Sequence, residues 1–467
     1  MLLYIIETDI CVFMRAVFFF FLLFTAFVYF ISASYITCSN DGSHFALVRN
    51  IVEYRTLELD ETGIEYTRKT DLSFKDGKYY SDRSPGTAYL AIPFYLVGKV
   101  IRFLGMSTWI SKVQQPEEIF VMFLPIICGL ISIFVVFELL LFFGVSGKIA
   151  LSALPLYAFG TLQWLESSHL YSHQISILFV LMAIYFIVNR KLVALSLSLA
   201  VASIVEIQNI LLLPFFIFYL ITKYVDDSLG DKMFSPGKMS VLAFLFLVVY
   251  SLLPLHNYFE FGVWTIKSNS YHYVFKEENS FITSLSGNYF IGLERLLMGF
   301  ANYRAIYNWH LGIQNEIPGV FGVSPFLLFC VPGWFIMWRR FKYEVVLMLV
   351  VIITLLSVVA LHKTVLTRHI STIYPLFFIP CVIWLHKLVQ GRFMIRKAAV
   401  MLLFASTAVF SVARVYYSLH TYWGHSLKNP FPFIAEWKCF IVFLPLLVSI
   451  SYLLVRKRFV VSSSSLS

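Results

Sequence analysis

Several stretches of this chain set ionisable and hydroxylated side chains close together. Ser39-Asn40-Asp41-Gly42 follows directly on an apolar run that ends at Ile36. A carboxylate held at the end of a membrane helix can take the proton from an acceptor hydroxyl at the water–lipid boundary, as a general base does. Asn-Asp-Gly is also turn chemistry, and taken locally that is the commoner meaning. Lys78-Tyr79-Tyr80-Ser81-Asp82-Arg83-Ser84-Pro85-Gly86 places two cations among hydroxyls just before the apolar run Tyr89 to Val97. That suits a phosphate at headgroup level, and equally a solvated basic loop resting on lipid. In Lys363-Thr364-Val365-Leu366-Thr367-Arg368-His369 the guanidinium of Arg368 stands at a helix start, where it can pair with a phosphate or snorkel to the interface. Glu166-Ser167-Ser168-His169 runs on to Tyr171 and His173. His169 and His173 are four apart and share a helix face, so with Glu166 they could hold a divalent ion. Such histidines more often bridge packed membrane helices, and no metal ligands and no cofactor are expected. Arg304 to Glu316, with Tyr303, Tyr307 and Trp309, offers rings for stacking on a sugar or lipid, or an interfacial belt.

What the chain lacks narrows the chemistry. It has no Gly-rich phosphate loop ending in Lys-Ser/Thr and no Asp-x-Asp run. Nucleotide hydrolysis is therefore unsupported, and so is a metal-bound nucleotide-sugar donor. A donor whose leaving group already sits in the membrane fits better. The six cysteines, Cys11, Cys38, Cys128, Cys330, Cys381 and Cys439, show no paired spacing, which argues against a zinc site or disulfide framework.

The elements that must position these residues are membrane helices. Hydrophobic residues make up 59% of the chain and charged ones 13%, with a mean hydropathy of +0.79; a soluble domain has about 25% charged residues. So few charges cannot cover a water-facing surface. The net charge of +10 sits largely in short loops between apolar runs, which points to cytoplasmic membrane flanks rather than to nucleic acid. Spans are expected at 16–36, 119–143, 149–165, 170–188, 192–206, 208–223, 240–256, 321–338, 344–361, 370–387, 397–415 and 436–455. The pair 192–206 and 208–223 could instead be one broken helix with Glu206, Gln208 and Asn209 at the break. The first span is read as a retained signal anchor, longer than the ~7–15-residue core of a signal peptide. With the N-terminus inside, Lys148, Arg190-Lys191, Arg339-Arg340, Lys387 to Lys397 and Arg456-Lys457-Arg458 fall on inner loops, as the positive-inside rule asks. Both termini are then cytoplasmic, and the long segments 37–118 and 257–320 lie outside. The expected fold class is all-α: a polytopic transmembrane bundle of about 11–13 spans, a single membrane-embedded unit over 1–467, whose outer loops contain short interfacial helices.

With these residues in place the sequence resembles the GT-C superfamily of membrane glycosyltransferases. The likeness is to prokaryotic relatives of dolichyl-phosphate-mannose protein mannosyltransferases and undecaprenyl-phosphate aminoarabinose transferases. It rests on Asp41 after the first span, on Asp-Gly-Lys-Tyr-Tyr-Ser-Asp-Arg-Ser-Pro-Gly-Thr-Ala-Tyr-Leu-Ala-Ile-Pro-Phe-Tyr at 76–95, on Phe159-Gly-Thr through Tyr171-Ser-His173, and on Gly319 to Pro325 with Thr367-Arg368-His369 and Tyr374-Pro375. The stretch at 76–95 is the most specific, and the likeness runs from the first span to about residue 380.

The resemblance implies a polyprenyl-phosphate sugar donor, transfer at the extracytoplasmic face and inversion at the anomeric carbon. Asp41 would be the base, with Lys78, Arg83 and Arg368 on the donor phosphate. Tyr79, Tyr80, Ser84, Glu166, His173 and His369 would contact substrate. The implied partners are the lipid-linked donor, membrane lipid and a lipid, glycan or protein acceptor. Many relatives carry Asp-Glu where this chain has Asp41-Gly42, so a second carboxylate must come from elsewhere, with Glu53, Asp60 and Glu61 as candidates. No large soluble domain follows the last span, unlike oligosaccharyltransferase subunits, which argues against a peptide-sequon acceptor. Two rival readings are a transporter or flippase of a lipid-linked saccharide, which should carry internal repeats and mid-membrane charge, and a structural subunit of a cell-envelope assembly.

Overall fold

The structure is a computed structural model that describes residues 2–33, 36, 38–105, 115–224, 236–274, 285, 287–298, 319–362, 367–390 and 394–421. Nearly every apolar run is a helix, because a backbone in hydrocarbon must satisfy its polar groups within the segment itself. Met14–Ser32, Pro116–Phe142, Gly237–Phe261, Lys342–Leu361 and Arg368–Gln390 are long and apolar enough to cross a membrane. Ser172–Val188, Leu192–Val205, Ile207–Lys223, Pro325–Trp338 and Val400–Tyr416 are shorter apolar helices. Gly147–Gly160 is another short helix of the core, continued after a break by Gln163–Ser167. The expected span at 436–455 lies outside the described residues.

Burial sorts these helices. Most of Pro116–Phe142 and Arg368–Gln390 is enclosed by neighbours, whereas Met14–Ser32 and Gly237–Phe261 leave most of their surface open. Apolar side chains such as Phe19, Phe20, Phe244 and Leu247 stand exposed on these two, as a lipid-facing surface requires. At 192–223 the structure selects the break. Leu192–Val205 ends at Glu206 in extended conformation, a 3-10 turn spans Ile207–Leu212, and Leu213–Tyr224 resumes as α-helix. Asn209 supplies part of what the break needs, donating from Nδ2 to the Ala202 carbonyl (3.0 Å) and to Ser176 Oγ (2.8 Å).

The first loop holds the helices Ser39–Tyr54, Glu61–Tyr66 and Gly86–Phe103. It also holds an element the sequence reading did not anticipate: an antiparallel hairpin of Leu72–Lys75 and Lys78–Ser81, paired Leu72 with Ser81. Its two-residue turn has positive φ at both Asp76 (52°) and Gly77 (82°), the type I′ geometry that Asp-Gly favours. Residues 271–273 add to the free edge of the first strand. Phe74 N donates to the Tyr271 carbonyl at 2.8 Å and Tyr273 N to the Leu72 carbonyl at 2.9 Å. The two long polar loops are thereby stitched together, and His272 is carried to the base of the hairpin.

Candidate functional site

Asp41 lies in the first turn of the helix Ser39–Tyr54 and is fully buried. Asn40-Asp41-Gly42 is thus helical, and the turn reading of these residues is not what the chain adopts. Gly42 explains why a second carboxylate is missing at the next position. A Cβ there would stand 1.8 Å from the Tyr66 carbonyl oxygen, so the helix Ser39–Tyr54 meets the end of Glu61–Tyr66 at backbone contact. Gly42→Ala is expected to lower the unfolding temperature in detergent by several degrees or prevent folding, because the clash is with backbone and overpacking costs ~1–3 kcal/mol or more.

The sequence candidates for that second carboxylate are engaged elsewhere. Glu53 pairs with Lys99 (2.8 Å) and Arg102 (3.5 Å). Asp60 binds Arg49 (2.7 Å) and caps the next helix by accepting from Gly63 N (2.8 Å), and Glu61 is exposed at the start of that helix. Two other carboxylates do approach the start of the Asp41 helix, Asp82 at the end of the hairpin and Asp71 just before it. Ser43 Oγ donates to Asp82 Oδ1 at 3.0 Å, Arg83 Nε lies 3.4 Å from the same oxygen, and His272 Nε2 lies 3.5 Å from Oδ2. Burial pushes the Asp82 carboxyl up, but Arg83, His272 and Ser43 outweigh it and hold it below the usual carboxylate range. Arg83 reaches further, to Asp71 Oδ2 at 2.6 Å, and Asp71 accepts from Ser39 Oγ at 2.8 Å. Beside them His44 is buried, and neither ring nitrogen has a hydrogen-bond partner among the described residues. Burial, reinforced by the charge of Arg83, lowers it to about 3, so it stays neutral at working pH.

A second group of residues closes on this one. The Arg368 guanidinium lies 5.1 Å from the Tyr171 ring centroid, a cation–π approach. Tyr171 stacks on His169 at 4.8 Å and is hydrogen-bonded through its hydroxyl to Cys38 Sγ (3.3 Å), at the N-cap of the Asp41 helix. Burial, with Asp41 adding to it, pushes the Cys38 thiol up to about 12, and Arg368 acts on it in the opposite sense. Asp41 and Arg368 are therefore both within electrostatic reach of one sulfur. His44 is likewise within reach of Arg83, Asp82 and His173. Ser371 Oγ donates to Glu166 Oε1 at 2.7 Å, His173 Nδ1 bonds Glu206, and the rings of His173 and His369 are 5.4 Å apart. Gly86 lets the Arg83 turn press on the helix break, since a Cβ there would meet the Ile204 carbonyl oxygen at 2.6 Å.

Of the residues singled out from sequence, Asp41, Arg83, Arg368, Glu166, His173 and His369 share one polar cluster, buried except for the half-buried Arg83 and His369. Lys78, Tyr79, Tyr80 and Ser84 show no contact with it. Lys78 is exposed and pairs with Glu58 at 2.8 Å. Tyr79 packs with Phe74 and Tyr273 on the far side of the hairpin, and Tyr80 packs on Phe261. Ser84 is half-buried in the turn before Gly86–Phe103. Lys363 to Leu366 and Arg304 to Glu316 lie outside the described residues. Sequence reading missed Asp71, Asp82, His272, His44 and the partnership of Glu206 with His173. Asp82 was quoted within its motif without a role, and His272 is joined to it across a span of chain that no local spacing could bridge.

Glu166, His169 and His173 are not among the described groups whose ligand atoms converge; His169 Nδ1 is bonded to the Leu165 carbonyl at 2.9 Å, and His173 Nδ1 to Glu206. Among the described residues the group that could hold an ion is Asp71, Asp82 and His272, whose ligand atoms lie within 4.8 Å of one another. Two carboxylates and an imidazole suit a divalent cation, and Arg83 supplies positive charge at the same place.

No protein-family profile and no curated protein sequence matches the chain. Solved structures do. ArnT from Cupriavidus metallidurans bound to undecaprenyl phosphate superposes with a TM-score of 0.56 at 13% identity, over 95% of this chain and 72% of that one. Its apo state gives a TM-score of 0.55 at 14% identity, over 97% and 73%. The oligosaccharyltransferase of Archaeoglobus fulgidus, tethered to an acceptor peptide with an NVT sequon, gives 0.54 at 12% identity over 89% of this chain but 56% of that one, so this chain spans little more than half its length. At such identities the likeness is one of fold: a largely α-helical, polytopic membrane fold shared with these proteins.

Proposed function

We propose that this protein transfers a sugar from a polyprenyl-phosphate carrier to an acceptor hydroxyl or amine at the extracytoplasmic membrane face, with inversion. The reading is carried by one observation. On a fold shared with ArnT, a fully buried carboxylate, Asp41, lies in the same polar cluster as two arginines, Arg83 and Arg368. Asp41 takes the acceptor proton as the acceptor oxygen or nitrogen attacks the anomeric carbon. The bond from that carbon to the phosphate oxygen breaks, its electron pair stays on the oxygen, and the arginines stabilise the charge that gathers there. A low-dielectric site strengthens both effects. Asp71, Asp82 and His272, if they hold a divalent cation, would place further positive charge beside Arg83.

The test is reconstitution in vesicles with a polyprenyl-phosphate sugar and a panel of lipid, glycan and peptide acceptors. Release of polyprenyl phosphate together with an inverted glycosidic product supports the reading. Movement of the intact lipid-linked sugar between leaflets without bond cleavage would replace it with a flippase. Lys78 should be dispensable in this assay. Its partner Glu58 is a surface residue, and exposed pairs contribute only ~0–1 kcal/mol, so Lys78→Ala should retain transfer within about twofold and leave the KM for donor unchanged.

A further inference from the structure

The pair His173–Glu206 has no task in the chemistry above, and its geometry supplies one. His173 opens the helix Ser172–Val188, and Glu206 is the extended residue between Leu192–Val205 and the 3-10 turn that follows. Both side chains are 8% exposed. His173 Nδ1 is bonded to Glu206 Oε1, which also accepts from Ser172 Oγ at 3.0 Å, while Gln208 Nε2 lies 3.4 Å from the other oxygen. The carboxylate is thus held by three donors and fixes one edge of the imidazole. The opposite nitrogen, Nε2, is buried and has no hydrogen-bond partner among the described residues.

A buried polar atom left in this way forgoes ~1–3 kcal/mol, unless something it binds is simply not there yet. Glu206, Glu166, His369 and His44 lie within reach of His173. His369 in turn is within electrostatic reach of Arg368 and Arg83, and His44 of Arg83, the two arginines assigned to the donor phosphate. A carboxylate on Nδ1 fixes the orientation of the ring and aims Nε2 away from itself, as in carboxylate–histidine acid–base pairs.

We propose that His173, oriented by Glu206, is the general acid of the reaction and protonates the polyprenyl phosphate as it leaves. The inference rests on the function proposed above. The bond from the anomeric carbon to the phosphate oxygen breaks and the oxygen keeps the electron pair. The Nε2 proton moves to that phosphate, giving a monoanion and a neutral imidazole. The acceptor proton passes to Asp41. Solvent then returns a proton to His173 and removes one from Asp41, so the net change is the acceptor proton carried off on polyprenyl phosphate. Glu206 touches no substrate and acts as a positioning residue.

The experiment compares wild type, His173→Gln and Glu206→Gln on two donors carrying the same sugar. One is the polyprenyl phosphodiester. The other is an aryl phosphodiester whose electron-poor phosphate leaves without protonation. On the native donor His173→Gln should lose about 10²-fold or more in kcat with KM within about threefold. On the aryl donor the loss should shrink to under about tenfold. Glu206→Gln keeps the hydrogen bond to Nδ1 but removes the charge, and should show the same pattern at smaller amplitude. It also keeps the inference testable if His173→Gln fails to fold. Equal losses on both donors, a loss confined to KM, or an unchanged kcat would overturn the inference while leaving the glycosyltransferase reading standing. A wild-type protein that transfers from no polyprenyl-phosphate donor would remove both.

Discussion

Asp41→Asn is expected to reduce sugar transfer by about 10²–10⁴-fold, the contribution of a positioned general base, without unfolding the protein. The substitution is isosteric and removes only the charge, so the first turn of Ser39–Tyr54 should keep its packing against Tyr66 and Cys38. Three measurements check this together: initial rate, donor affinity and unfolding temperature in the same detergent. A base acts on the acceptor proton in the transition state, so kcat should carry the loss and donor affinity should change little. Transfer within about tenfold of wild type would remove Asp41 as base. A large fall in unfolding temperature would mean that the buried carboxylate serves the fold instead.

Locally Asn-Asp-Gly reads as a turn, and Asp41 was visible only because it directly follows a long apolar run, at the water–lipid boundary, where the resemblance places an acidic residue. The membrane helices were visible for a plainer reason. Long apolar runs with few charges have a single stable solution in lipid, and helices occupy the expected spans through 397–415. The break at Glu206 was visible in outline, since Glu, Gln and Asn interrupt an apolar run there. The hairpin was legible but passed over. Lys75-Asp76-Gly77-Lys78 carries the Asp-Gly signal of a two-residue turn, and the Tyr79-Tyr80-Ser81 strand after it alternates faces. The strand runs from exposed Lys78 to buried Ser81, and Asp82 and Arg83 follow at its buried end. What no local pattern could disclose is His272, which joins Asp82 only because residues 271–273 pair with the strand Leu72–Lys75. Gly42 is an intermediate case. Its oddity against the Asp-Glu pattern was plain, but the reason is a carbonyl on a separate helix.

The two arginines of the cluster should separate when each is changed. Arg368→Lys is expected to lower kcat by about 10²–10³-fold, the scale of losing one charge-stabilising donor in a preorganised site, with little effect on folding. Lysine keeps the charge but cannot lie flat on the Tyr171 ring or present a planar fork to a phosphate. Tyr171 is tied through its hydroxyl to Cys38, so the guanidinium is registered against the same N-cap that places Asp41. Arg83 is bound differently. It lies between Asp71 and Asp82, and Arg83→Lys would leave one of the two carboxylates poorly matched. Its first signature should therefore be a lower unfolding temperature, because Asp82 is buried and leaving its charge poorly paired costs more than the pair itself contributes. Rates and unfolding temperatures measured on both variants decide the matter. If Arg368→Lys transfers at the wild-type rate, charge alone suffices at that position and the stacking on Tyr171 is structural. If Arg83→Lys keeps its stability and loses only rate, Asp71 and Asp82 hold their geometry without it, and the positive charge they face belongs to the donor site rather than to the fold.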